Sequence, residues 1–196
     1  MGKKIPKLTI RYSLSYEKKR VLNTIKKIDW YKENNYRVSL PDGALDKDYR
    51  PAAYKIVEKK IEGWWRKDAR TFVRNMEVRK LKPKSRYRIF LTRYGTGGSY
   101  DLPGDIVLNI SQKKASQLHA VVFHEMIHLS IEPLIARYRI PHFAKERLVD
   151  LLLGDLIPGF AKFQTLAKSR EVKNMGRAYG DGTLPISAIL KRFKAL

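Results

Sequence analysis

The sequence predicts an α+β fold that is mostly helical and contains a small β-sheet. Segments with apolar residues at helical intervals occupy most of the 196 residues. Two short runs, 87–94 and 105–110, are instead rich in β-branched and aromatic residues and are typical of strands. Hydrophobic residues make up 43% of the chain, which is enough for one well-filled core.

The first part of the chain, residues 1–84, predicts a basic helical region that forms the upper part of the domain. Residues 13–34 have the spacing of an amphipathic helix, and residues 51–79 that of a long helix with a possible break at Gly63. Its adjacent tryptophans, Trp64 and Trp65, could stack on bases, but on a helix that must pack they are more often core residues.

The second part, residues 85–160, contains the two predicted strands and two helices. The link GTGGSYDLPG between the strands lacks the Lys-Ser/Thr of a phosphate-binding loop, so we interpret it as a hairpin or sheet-edge loop. Ser111 is a suitable N-cap for a helix over 112–129, and a second helix runs from Pro141 to Pro158-Gly159. Residues 161–196 predict a helical tail, with helices over about 160–175 and 185–195.

The charge is extreme: 41 Lys and Arg face 19 Asp and Glu, a net charge of +22, with the larger excess in residues 1–84. Such a surface either attracts nucleic acid or is the solvated surface of a heat-adapted protein. Cysteine is absent, so a metal would need nitrogen and oxygen ligands. The basic N-terminus precedes no apolar segment, and Asp150 and Asp155 interrupt the longest apolar stretch, so we expect a soluble, cytoplasmic protein without membrane contact.

The stretch VVFHEMIHLS contains the pattern H-E-x-x-H. On a helix, His124 and His128 lie one turn apart on the same face, so both imidazoles can reach one metal ion. Glu125 projects beside them, where its carboxylate could accept a proton from water. The alternative is a core helix with two hydrogen-bonded histidines.

The next predicted helix offers a third ligand. His142, Glu146 and Asp150 follow at intervals of four residues and therefore share one helix face. A solvated polar face is the alternative, but Leu153 continues the stripe, which favours a buried position for these groups.

HEMIH followed by the pattern E-x-x-x-D, Glu146 to Asp150, resembles the gluzincin zinc metallopeptidases over roughly residues 86–157. The resemblance implies a mixed sheet above an active-site helix, followed by a glutamate helix. It implies that zinc is bound by His124, His128 and Glu146, that Glu125 is the general base and acid, and that Asp150 orients a ligand histidine. The spacing from His128 to Glu146 is slightly tighter than in thermolysin-like members.

The resemblance also implies a peptide or protein substrate, extended along an exposed sheet edge for which Tyr94 to Asp101 is the candidate segment. A tetrahedral intermediate needs a donor besides the metal, and the candidates are Tyr138, His142 and Tyr179. The sequence gives neither the substrate specificity nor the oligomeric state.

Two alternatives remain. Some of the SprT-like proteases, which are associated with nucleic acid, also carry HEMIH and use a later histidine as third ligand, for which His142 is the candidate here. A basic nucleic-acid-binding protein with a structural zinc site is the other alternative. The metzincin pattern fails, because this chain has Ile131 and Leu134 where that pattern requires Gly and His.

The end of the chain, residues 177–196, also has two interpretations. The helix after Pro185 carries an apolar stripe of Ile186, Ile189, Leu190 and Phe193. It is either a closing core helix or a tail that lies across the substrate groove and keeps a peptidase latent, as a zymogen is.

Overall fold

The computed structural model describes residues 4–112, 115–157, 159–160 and 169–196. The helices are α1 (Leu14–Ile25), α2 (Ile28–Glu33), α3 (Leu45–Asp48), α4 (Pro51–Val78), α5 (Ala115–Tyr138), α6 (His142–Leu156), α7 (Arg170–Tyr179) and α8 (Ile186–Lys194). The strands are β1 (Lys7–Arg11), β2 (Arg86–Thr92), β3 (Gly98–Asp101) and β4 (Asp105–Asn109).

The strands form one mixed sheet in the order β1-β2-β4-β3. β1 and β4 both pair with β2 in parallel, whereas β3 pairs with β4 antiparallel, with Gly98 opposite Leu108. β3 is therefore an edge strand, and it contacts α5. The prediction of a mostly helical α+β fold with a small mixed sheet is confirmed.

The core lies between the sheet and helices α4, α5 and α6. Alternate residues of β2 bury their side chains completely, as the period of two in a strand requires. Phe72 of α4 packs against Phe123 of α5, with ring centroids 4.7 Å apart. The predicted 1–84 region and the following 85–160 region thus share one hydrophobic core.

The N-terminal region differs from its prediction in three ways. Residues 13–34 form two helices, α1 and α2, because the chain turns at Lys26 and Lys27. Strand β1 was not predicted, since five residues with a parallel partner far along the chain give little local signal. Helix α4 continues through Gly63, because residues on both sides bury the same helix face.

The predicted helix over 112–129 also ends later than expected. The described part of α5 runs to Tyr138 and contains Pro133, which lacks the N–H for a helical hydrogen bond. Ile131 and Ile135 are buried on either side of this proline, so core packing holds the helix together across it.

The C-terminal tail packs on the core. Half of the predicted helix over 160–175, residues 161–168, lies outside the described residues. Helix α7 runs through Gly176 and ends at Gly180, which has φ +61°. Helix α8 buries Ile186, Ile189 and Leu190 in the core. Of the two interpretations of this segment, the structure agrees with a core helix that closes the domain.

None of the described helices is both long enough and apolar enough to traverse a bilayer.

Candidate metal centre

His124 and His128 face each other on the buried side of α5. Each side chain is 2% exposed, and their Nε2 atoms are 3.0 Å apart. The neighbouring residues Met126 and Ile127 are fully buried. The apolar packing of α5 therefore buries the two imidazoles as well. Two nitrogens at this separation leave room for one shared ion or proton between them.

Glu146 of α6 completes the group. Its Oε2 lies 3.3 Å from His124 Nε2, and its Oε1 lies 3.4 Å from His128 Nε2. In a tetrahedral site with Zn–N and Zn–O bonds of about 2.0–2.1 Å, neighbouring ligand atoms are about 3.3 Å apart. The donor atoms therefore fit a single ion of zinc's size, and this buried group could hold a metal ion.

His142 is placed differently. Its Nδ1 lies 3.9 Å from Glu146 Oε1, and its Nε2 forms a 2.6 Å hydrogen bond with the hydroxyl of Tyr36. The ring thus approaches the carboxylate rather than the two facing nitrogens. This geometry favours Glu146 over His142 as the third ligand.

Two neighbours fix the orientation of the histidine rings. Asp150 Oδ1 lies 3.5 Å from His124 Nδ1, on the side of the ring away from the cluster. Tyr100 of β3 stacks on the ring of His128, with centroids 4.8 Å apart and planes 15° from parallel. Tyr100 is itself held by Glu132 and Lys145, at 2.5 and 2.9 Å from its hydroxyl oxygen. Each imidazole is therefore directed at the same point as Glu146.

The charges in the cluster are coupled. Burial alone would lower the pKa of His124, but the carboxylates of Asp150 and Glu146 raise it to about 9. Burial lowers the pKa of His128 to about 4. Burial would raise the pKa of Glu146, yet its contacts with both histidines bring it well below the ordinary range. A metal ion is bound by neutral imidazoles, so it would compete with the proton that the carboxylates favour on His124.

Glu125 lies beside the group, against the sheet edge. Its side chain is 6% exposed, and burial raises its pKa to about 7. A Cβ atom at Gly98 would come within 2.6 Å of Glu125 Oε1, so the missing side chain of this glycine leaves room for the carboxylate. A carboxyl group with a pKa near neutrality can both accept and donate a proton at physiological pH.

The group opens into a cavity of ≈530 Å³, within the range of about 300–1,000 Å³ common for ligand sites. The floor is formed by His124, Glu125, His128 and Glu146, and one wall by residues 96–100, which include the start of β3. The predicted segment Tyr94 to Asp101 thus supplies an edge of the site.

Aromatic residues over 30–36 also line the cavity and form an aromatic wall that was not predicted. Asn35 has a left-handed backbone, φ 57°, and turns the chain so that Tyr36 stacks on Trp30, with centroids 5.5 Å apart. Two backbone hydrogen bonds between Ser39 and Gly95, of 2.8 and 2.9 Å, join this segment to the loop before β3. The residues of this wall lie in one short segment, but the rest of the cavity lining comes from residues 96–146, so no local pattern could place the wall beside the site.

Of the three predicted transition-state donors, His142 lines the cavity whereas Tyr138 and Tyr179 do not. Tyr138 lies at the end of α5, and the hydroxyl of Tyr179 donates to Asp155 beside Arg79. Among the described residues that line the cavity, Tyr36 and Tyr100 are present while Tyr138 and Tyr179 are not.

No protein-family model, curated protein or solved structure matches this chain in the comparisons made.

Proposed function

We propose that the protein is a zinc-dependent peptidase with zinc ligands His124, His128 and Glu146. One observation carries the proposal: three buried donors converge at zinc-ligand separations beside a carboxylate, Glu125, at the floor of a cavity bordered by a sheet edge. A structural zinc site is normally closed by four protein ligands, whereas this group offers three and faces a cavity.

A bound zinc ion would polarise the substrate carbonyl and acidify a water molecule. Glu125 accepts the proton of the attacking water on its carboxylate and passes it to the leaving amine nitrogen. Its burial against Gly98 keeps the carboxylate in one place and excludes bulk water from it.

The substrate backbone pairs with the free edge of β3 and so extends across the floor of the cavity. In the same cavity, the hydrogen-bonded pair of His142 and Tyr36 supplies the donor for the carbonyl oxygen as it gains negative charge. This pair takes the role for which the sequence offered Tyr138, His142 and Tyr179.

The test uses Glu125→Gln, which keeps nearly the same shape but cannot act as a base. We expect one zinc per chain in the variant and in the wild type, with peptide hydrolysis at least about 10²-fold slower in the variant. Fluorogenic peptide cleavage and metal analysis of the same preparations measure both quantities.

Glu62→Gln, on the exposed face of α4, is the matched control and should retain full activity. Hydrolysis that is equal in Glu125→Gln and in the wild type would show that this site does not catalyse it, and the proposal would be withdrawn.

A further inference from the structure

The outer face of α4 carries a long array of cations that the peptidase proposal does not use. Seven exposed residues form this cationic face: Lys55, Lys59, Lys60, Arg66, Lys67, Arg70 and Arg74. They lie opposite the face on which Tyr54, Ile61, Phe72 and Met76 are buried. None of the seven forms an ion pair with any residue that the structure describes.

The cations follow the helix in two lines. Lys60, Lys67 and Arg74 recur every seven residues, about 10 Å apart along the axis at 1.5 Å per residue. Lys59 and Arg66 begin a second line beside the first. The cationic face therefore extends for about 28 Å along the helix.

The acidic residues of α4 do not neutralise this face. Glu58 accepts a hydrogen bond from Tyr12, and Asp68 lies 3.0 Å from His119 Nε2. Glu62 is exposed and Glu77 is partly buried three positions after Arg74, so α4 carries four acidic residues against its seven exposed cations. The electrostatic potential at this face is therefore positive and attracts polyanions.

We propose that the cationic face of α4 binds the phosphate backbone of double-stranded nucleic acid, without reading its sequence. A duplex carries one negative charge per about 1.7 Å of its axis, which a straight line of cations can follow. The tryptophans of α4 provide no platform for unpaired bases, since Trp65 is buried and Trp64 stacks on His119, with centroids 4.7 Å apart.

An anionic membrane fits the helix less well. A membrane-surface helix inserts its apolar face into the lipid. The apolar face of α4 is already occupied by the protein core, and the outer face offers few exposed apolar side chains, chiefly Ile56 and Val78.

The experiment measures binding of the full chain to a 20-base-pair duplex of arbitrary sequence over a range of salt concentrations. The variant Lys60→Gln, Lys67→Gln, Arg74→Gln removes one line of the face. We expect it to bind at least about tenfold more weakly at low salt, with the slope of log K against log salt reduced by about 3, one for each lost phosphate contact.

The matched control, Lys191→Gln, Arg192→Gln, Lys194→Gln, removes three cations from α8 and has the same net charge, +19 instead of +22. It should keep the slope of the wild type. Equal losses in the two triple variants would show an effect of net charge alone and overturn the proposal, as would a wild type that does not bind the duplex at low salt.

Vesicles of phosphatidylserine and phosphatidylcholine serve as the competing polyanion. If they bind the wild type more tightly than the duplex does, and the α4 variant loses that binding, the surface is a membrane site and the nucleic-acid assignment is wrong. None of these measurements depends on hydrolysis, so their outcome is independent of the proposed peptidase activity.

Discussion

Gly98→Ala should inactivate the proposed enzyme while leaving its metal in place. An added Cβ would lie 2.6 Å from Glu125 Oε1 and 2.5 Å from Val121 Cγ1, where ordinary contact begins at 3.4 Å. The carboxylate oxygen must therefore move by at least about 0.8 Å, and a misplacement of about 1 Å can slow catalysis by about 10²-fold.

The substitution should also lower the free energy of unfolding. The Glu125 carboxylate can rotate, but Val121 is buried and has one preferred side-chain rotamer on a helix, so we expect destabilisation of about 1–3 kcal/mol, as seen for overpacked sites. The zinc ligands lie on α5 and α6 and do not meet the new methyl group, so the zinc content should remain one per chain. Peptide cleavage, metal analysis and thermal unfolding of the same protein distinguish these effects.

Two further variants isolate the cause. Gly63→Ala is the control, because a Cβ at that position meets nothing within 4 Å and alanine favours the helix. Adding Val121→Ala to Gly98→Ala removes the second clash but keeps the contact with Glu125, so stability should recover and activity should not. Full activity in Gly98→Ala would refute the claim that this contact positions the carboxylate.

The remaining predictions concern the surroundings of the metal site. Asp150→Asn should weaken zinc binding by about 10–100-fold in a chelator competition, because His124 loses its carboxylate partner; unchanged affinity would remove Asp150 from the account. Tyr36→Phe and His142→Ala should each retain zinc but lower kcat by about 10²-fold. Loss of zinc from His142→Ala would instead identify His142 as the third ligand, as in the SprT-like alternative. Trp30, 46% exposed in the cavity wall, should contact a substrate side chain, so Trp30→Ala should reduce kcat/KM at least about tenfold for peptides with large apolar residues and leave alanine peptides little changed.

The local parts of the site follow from helical spacing. His124 and His128 share a face because they are four residues apart, and Glu146 and Asp150 do so for the same reason. The structure brings these two faces together, as the stripe on the second helix predicted. Residues that act within one or two helices are accessible to pattern analysis because the helix itself fixes their relative positions.

The remaining parts depend on long-range packing. Tyr36 contacts His142 across 106 positions of the chain. Gly98 is required because a Cβ atom there would clash with Oε1 of Glu125, a residue of α5. GTGGSYDLPG was interpreted as a hairpin or sheet-edge loop between the two predicted strands. The hairpin is wrong, because β2 and β4 pair in parallel, and residues 98–101 instead form an edge strand with β4. Tyr179 was a candidate because of its chemistry, and its contact with Asp155 could not be read from the sequence.

The most direct test of the central claim is anomalous X-ray diffraction at the zinc absorption edge from crystals of zinc-supplemented protein. We predict one peak per chain, within about 2.0–2.2 Å of Nε2 of His124, Nε2 of His128 and a carboxylate oxygen of Glu146, with a fourth position open to the cavity. The absence of a peak among these residues would contradict it, as would a fourth protein ligand that closes the site.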